Sequence, residues 1–263
     1  MKVGILISDF ENLKNWELRI IMAIKKSDTH NICLLIKDGR HGKQDQNSLK
    51  LRLKRLFKSN NILGRVLFGV VKYIEFKLIR NEVDKVNKEE VINYLFTIPT
   101  INLSPKRKGF IDKFGQDDYT KVKSYNLDVL LRHEFNIIHG EILNATKYGI
   151  WSFHHGNNSI NRGGPAGFWE IINKEPVIGV TLQQLTKKLD GGNIIDKGYY
   201  NRHWSYSQNN EFILEKSVEI LIKNLNKVER TGELTLKKSS VYYHQLYKAP
   251  NLFITLKYIF LLI

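Results

Sequence analysis

Residues 152–170 read SFHHGNNSINRGGPAGFWE, with two adjacent histidines, three asparagines and four glycines in nineteen positions. Such residues serve metal binding, phosphate binding, proton transfer, or the plain making of a turn. A structural or catalytic metal needs three or more protein ligands. His154 and His155 are neighbours, so on an extended strand they point to opposite faces and do not readily share one ion. No metal is expected. A Walker-type phosphate loop ends in Gly-Lys-Ser/Thr, which this stretch lacks. Proton transfer remains: a histidine used as acid and base, oriented by a carboxylate. The best partner is Asp190 in KKLDGGNII, 187–195, where two glycines follow the acid. Glycines permit close approach of backbone to a ligand; the plain alternative is an Asp-Gly turn.

The elements that must position these residues follow from hydropathy. KVGILIS (2–8) reads as a strand, NWELRIIMAIKKS (15–27) as a helix and HNICLLI (30–36) as a second strand. Such a β-α-β opening predicts an α/β chain with a doubly wound, mostly parallel, Rossmann-like sheet and helices on both faces. LFTIPTINL (95–103), YNLDVLLRH (125–133), GIWSF (149–153) and VIGVTLQQL (177–185) read as further strands, with a short helix before Gly149. The histidine loop then sits at the C-terminal end of a strand, where open parallel sheets bind ligands. No Gly-rich fingerprint follows the first strand, so dinucleotide binding gains no support. From Ser207, an expected N-cap, to Val228 the chain reads as a helix, and the tail APNLFITLKYIFLLI is apolar with one lysine.

In order and spacing, the two motifs together resemble the formyltransferase family, enzymes that use 10-formyltetrahydrofolate. That family carries an Asn-x-His motif, an Arg-Gly farther on, an apolar strand beginning Gly-Val-Thr and a Leu-Asp-x-Gly loop. Here His154 falls on the motif histidine, Arg162 and Gly163 on the Arg-Gly, Gly179, Val180 and Thr181 on the strand start, and Asp190 and Gly192 on the acidic loop. Upstream, FNIIHGEILNATKYGI (135–150) is similar to the segment that lines the folate pocket. The resemblance therefore implies cofactor contacts at Asn136, Ile138, His139, Leu143 and Gln183, with 10-formyltetrahydrofolate as co-substrate. It covers 125–200, is weaker over the first strands, and does not reach 40–90 or the end of the chain.

The mechanism so implied has a substrate amine attack the formyl carbon, giving an oxyanion that needs donors. His154 would shuttle protons. Asp190 would hold the imidazole, favour its protonated form and help remove the amine's proton. Arg162 is expected to order the loop. Ser152 stands where the family has asparagine, offering one hydroxyl in place of an amide with two donors. Loss of an oxyanion donor costs on the order of 10² to 10³ in rate. Ser152 could donate directly or through water, Asn157 or Asn158 could fold back into the site, or the chain could be slow or inactive. His155 stands where the family usually has proline, for substrate contact or loop packing.

Charge bears on the acceptor. The net charge is +15, which suits an acidic partner: an acidic small molecule, an anionic membrane surface or, less favoured, nucleic acid. Residues 50–80 hold nine Lys and Arg against one acid, Glu75, and read as basic amphipathic helices. These bind membrane surfaces, or pack on a core with a solvated basic face. The single cysteine, Cys33, reads as a buried strand residue and excludes an intrachain disulfide. No signal peptide or membrane span is read, which leaves a cytoplasmic protein, with association at the inner face of the membrane as an extension.

The expected organisation is a formyltransferase-like domain over 1–203, with a basic helical insert at 41–92, and a helical, apolar extension over 204–263. The resemblance implies that tRNA-formylating members carry a C-terminal barrel. Only 73 residues (263 − 190) follow Asp190 here, which weighs against a tRNA acceptor, although the charge favours one. SDFENLKNW does not resemble the phosphate loop of the purine-pathway member. The expected acceptor is an amino sugar, nucleotide- or lipid-linked, for surface glycans. The alternatives are a methionyl-tRNA formyltransferase-like enzyme and a non-catalytic folate- or sugar-binding relative marked by Ser152.

Overall fold

In a computed structural model, the described residues are 1–7, 10, 13–40, 61–79, 86–133, 135–157, 159–187, 192–238 and 246–262. The strands are β1 (Lys2–Ile7), β2 (Asn31–Asp38), β3 (Thr100–Leu103), β4 (Lys106–Lys108), β5 (Ile111–Lys113) and β6 (Val129–Arg132). After them come β7 (Ile137–His139), β8 (Ile150–His154), β9 (Arg162–Gly163), β10 (Val177–Gln184), β11 (Asn193–Asn201) and β12 (Leu246–Tyr247). The helices are α1 (Asn15–Lys25), α2 (Ile62–Leu78), α3 (Lys88–Phe96), α4 (Gln116–Lys123), α5 (Trp169–Ile172), α6 (Tyr206–Thr231) and α7 (Leu252–Leu262), with a 3₁₀ turn at Glu141–Asn144.

The central sheet has seven strands in the order β11-β10-β8-β6-β1-β2-β3. Pairing is parallel from β3 through β8, and antiparallel from β8 to β10 and β10 to β11. The α/β, mostly parallel sheet expected from the sequence is therefore present. Its inner strands are buried on both faces, which is why they read as continuous apolar runs. One face (Val3, Ile5, Val129, Leu131, Trp151, Val180) packs with Ile20 and Ile21 of α1, Val91 and Leu95 of α3, and Ile213, Leu221 and Leu225 of α6. The other (Leu6, Leu34, Ile36, Leu130, Ile150) packs with Val122 of α4, Ile138 of β7 and Ile142 and Leu143 of the 3₁₀ turn.

Three local expectations shift. The strand read over 95–103 starts only at Thr100, because Leu95 and Phe96 finish α3. That helix is nucleated by Asn87, whose side chain accepts from Glu89 N and Glu90 N at 3.1 and 3.3 Å, and Leu95 is its buried anchor. The N-cap of α6 is Ser205, which accepts from Gln208 N at 3.3 Å; the Ser207 N–H is taken by Glu75 at 2.9 Å. Cys33 is half-buried, packed on the second core, and free. Of the basic stretch 50–80, residues 50–60 and Arg80 lie outside the described residues, and the rest contains α2. No described helix is long and apolar enough to cross a membrane.

A third cluster joins α2 and α7 to the body: Phe68, Phe168, Ile171, Ile172, Tyr206 and Tyr258. At its centre the Glu75 carboxylate is fully partnered, by the Tyr258 hydroxyl and by Ser207 N. The Tyr258 oxygen in turn accepts from Tyr206 N at 2.7 Å. Tyr258→Phe removes one donor and leaves a buried carboxylate oxygen and a buried N–H unmet. It should cost about 1–3 kcal/mol of stability, read as a lower urea midpoint at unchanged m-value.

Candidate active site

Strand alternation sets the site. On β8, Ile150 faces the second core and Trp151 the first, so Ser152 and His154 share the second-core face and Phe153 and His155 the other. The antiparallel register extends the first set: Ser152 pairs with Gln183 and His154 with Thr181, placing four side chains on one face at the end of the sheet. Ser152 is buried; His154 and Gln183 are half-buried.

The loop after β8 is held down on β10. Thr181 Oγ1 donates to the Gly156 carbonyl at 3.1 Å. A side chain at Gly179 would stand 2.8 Å from Asn157 N, so only glycine lets the loop backbone lie there. Gly163, at φ +87°, lies so close that a Cβ would be 2.1 Å from the Tyr247 carbonyl; with Arg162 it pairs with β12. Thus the Gly-Val-Thr and Arg-Gly motifs both have packing reasons: Val180 fills the core, Thr181 and Gly179 fix the loop, and Gly163 admits a second strand. Asn157 Oδ1 accepts from Ser159 N at 3.1 Å, an Asx turn within its own loop. Lys197 Nζ, its pKa lowered by burial, donates to Ser159 Oγ at 3.0 Å.

His154 Nε2 lies 3.0 Å from the Asn161 carbonyl. A carbonyl only accepts, so Nε2 carries the hydrogen in this contact. Behind this contact, Glu170 is buried and its pKa is raised, by burial first. Asp190, Asn158 and the side chain of Arg162 lie outside the described residues.

On the second-core face lies the small sheet β4-β5-β7, which carries the expected cofactor segment. Ile138 and Leu143 are buried in the core beneath it, while Asn136 and His139 are half-buried at its surface. Among the described residues β7 is an outer strand of that sheet and pairs with β5 alone. A buried ion network pins it. Asp112 of β5 accepts from Arg107 and Arg40 at 2.8 Å each and from Asn136 N at 3.0 Å. Arg40 also reaches Asp38 at the end of β2. Burial would raise the Asp112 pKa, but the hydrogen bonds from Arg107 and Arg40 outweigh it and hold the carboxylate well below its usual range.

The opposite face holds a group that sequence reading missed apart from His155. His155 stacks on Phe153 (centroids 5.8 Å apart, 18° between planes) and meets the edge of Trp16 at 5.2 Å. Trp16 also packs on His133 at 5.7 Å. Trp16 Nε1, both ring nitrogens of His133 and His155 Nε2 are buried with no hydrogen-bond partner among the described residues. Buried donors without partners call for water or a ligand. The available signal was weak: His133 and Trp16 are a strand end and a helix start, distant in sequence.

The chain is similar to known proteins in sequence and in fold. The chain is 29% identical over 129 residues to the bifunctional polymyxin resistance protein ArnA of Wigglesworthia glossinidia brevipalpis, covering 44% of this chain and 18% of that protein. It is 35% identical over 81 residues to methionyl-tRNA formyltransferase of Bacillus cytotoxicus, covering 30% and 26%. In structure it matches an N-formyltransferase from Helicobacter canadensis solved with folinic acid and dTDP-3-aminofucose, at TM-score 0.55 and 14% identity, over 94% of this chain and 70% of that one. The chain carries the formyltransferase fold. The sequence matches span about a quarter or less of the two curated relatives' length. No protein-family model matches.

Burial pushes His133 down to about 4. Burial, then the charges of His154 and Lys14, push His155 down to about 3. Their ordinary value is 6.5, so below it the unfolded chain binds protons that the folded chain refuses. Stability is then full above pH 6.5 and falls as pH drops through the window down to about 4 and 3. The urea midpoint of the protein should follow that fall, and His133→Phe should flatten it between pH 6.5 and 4. An unchanged slope would mean that His133 titrates as an exposed histidine does.

Proposed function

We propose that this chain transfers a formyl group from 10-formyltetrahydrofolate to an amine of an amino sugar carried on a nucleotide or lipid diphosphate. The observation that carries this is the division of β8: Ser152 and His154 on the face toward β7, Phe153 and His155 on the face toward Trp16. A folate approaching from the β7 side and an acceptor approaching from the α1 side would meet at the strand end, at His154.

The chemistry of the two sides supports the assignment. The outer edge of β7 offers backbone donors and acceptors to a flat heterocycle, fixed in place through Asp112. On the other side, neutral imidazoles each offer one donor and one acceptor beside aromatic faces. Hydroxyl-rich rings both donate and accept, and pack against aromatic surfaces. The positive charge of the chain suits a diphosphate carrier. In the reaction the amine nitrogen would bond to the formyl carbon and the bond from that carbon to folate nitrogen would break. The amine's proton would pass through His154 toward the departing folate nitrogen, with Asp190 steadying the charged ring. Ser152 would donate to the oxyanion. In this reading residues 1–203 form the transferring unit and 204–263 an extension whose first helix contributes to the main core.

Incubation with 10-formyltetrahydrofolate and a panel of nucleotide-linked amino sugars should release tetrahydrofolate with one of them. Release only with methionyl-tRNA would replace the acceptor, and folate binding without release would make the chain a binding relative. His154→Ala and Asp190→Ala should each lower turnover by at least about 10² with the melting temperature kept; near-normal rates in either would remove the assignment. Ser152→Asn should hold or raise the rate if Ser152 occupies the oxyanion position, whereas a large loss would mean the site is built around serine.

A further inference from the structure

The basic stretch and the apolar tail meet in space. Helices α2 and α7 pack side by side, and the inner residues of both, Phe68 and Tyr258, join one cluster around Phe168, at 4.9 and 5.0 Å. Their outer faces therefore point away from that cluster. At 100° per residue, Leu63, Val66, Val70, Tyr73, Ile74 and Leu78 fall on the outer face of α2 with Lys77 among them, and all are exposed; Arg65 and Lys72 fall on the flank nearer Phe68. On α7 the outer face is Phe253, Leu256 and Phe260, the two phenylalanines 81% and 79% exposed; Lys257 stands beside them with its ammonium 3.4 Å from the Ile172 carbonyl.

We infer that this two-helix face docks onto an anionic lipid surface. Large apolar side chains with interspersed cations are what an interfacial helix presents to headgroups and acyl chains, and lysine stems let the charge stay at the headgroups. Acids are withdrawn from the face. The single acid of α2, Glu75, is buried on Ser207 N and Tyr258, and α7 has none. A second copy fits poorly, because a self-contact of this face would bury Lys77 with no acid of α2 or α7 on the outer face to pair with it. α7 has 11 residues, too short to span a bilayer, so it would lie in the surface plane. The inference does not depend on the acceptor or on formyl transfer.

The full chain should sediment with vesicles of phosphatidylcholine and phosphatidylglycerol, less with phosphatidylcholine alone, and less as salt rises. The double variant Phe253→Ser, Phe260→Ser should lose partition by about tenfold or more, and Lys77→Glu with Lys257→Glu should lose the preference for anionic vesicles, both with unchanged melting. Three results would overturn the inference: no sedimentation of the unaltered chain at low salt, undiminished binding of the phenylalanine variant, or a dimer in solution that this variant breaks without any vesicle binding.

Discussion

The two-residue period of β8 is the constraint on which the site rests. It sends Ser152 and His154, the last residue of the strand, to one side of the sheet and Phe153 and His155, just beyond the strand end, to the other. The strand cannot slip, because Trp151 and Ile150 are anchored in separate cores; a one-residue shift would bring core residues to the site and bury the histidine. The direction of pairing also changes here, from parallel β6 to antiparallel β10. That change lets β10 deliver Thr181 and Gln183 opposite His154 and Ser152, and lets Gly179 and Thr181 hold the following loop.

Each side of the strand is then held by different physics. Toward β7, a desolvated carboxylate, Asp112, gathers two arginines and a backbone N–H. Its ion pairs cross from the small sheet to the end of β2 through Arg40 and Asp38, so the small sheet is fixed to the main sheet by charge. Toward α1 the contacts are ring on ring, with imidazoles kept neutral by burial.

The positive charge is likewise sorted by packing. Where a carboxylate falls within the basic helix α2, it is drawn inward to Tyr258 and Ser207, which leaves Lys77 outside among apolar groups. The buried contact that ties α2 and α7 to α6 is therefore also what strips negative charge from the outer face.

The sequence by itself determined the layout: apolar runs at strand and helix periods, a histidine loop at a strand end, and motif glycines where backbones touch. Those features are local, and side-chain period and steric demand are written in consecutive residues. The helix that runs into Leu95 and Phe96 and the cap at Ser205 were not legible, since Asn87, which starts that helix, and Glu75, which takes the Ser207 N–H, both lie outside the segments read there. Tertiary structure alone joined Trp16, His133 and His155, and α2 to α7. Those pairs are remote in the chain, and only the order in which parallel strands cross over, which no short stretch encodes, brings them into contact.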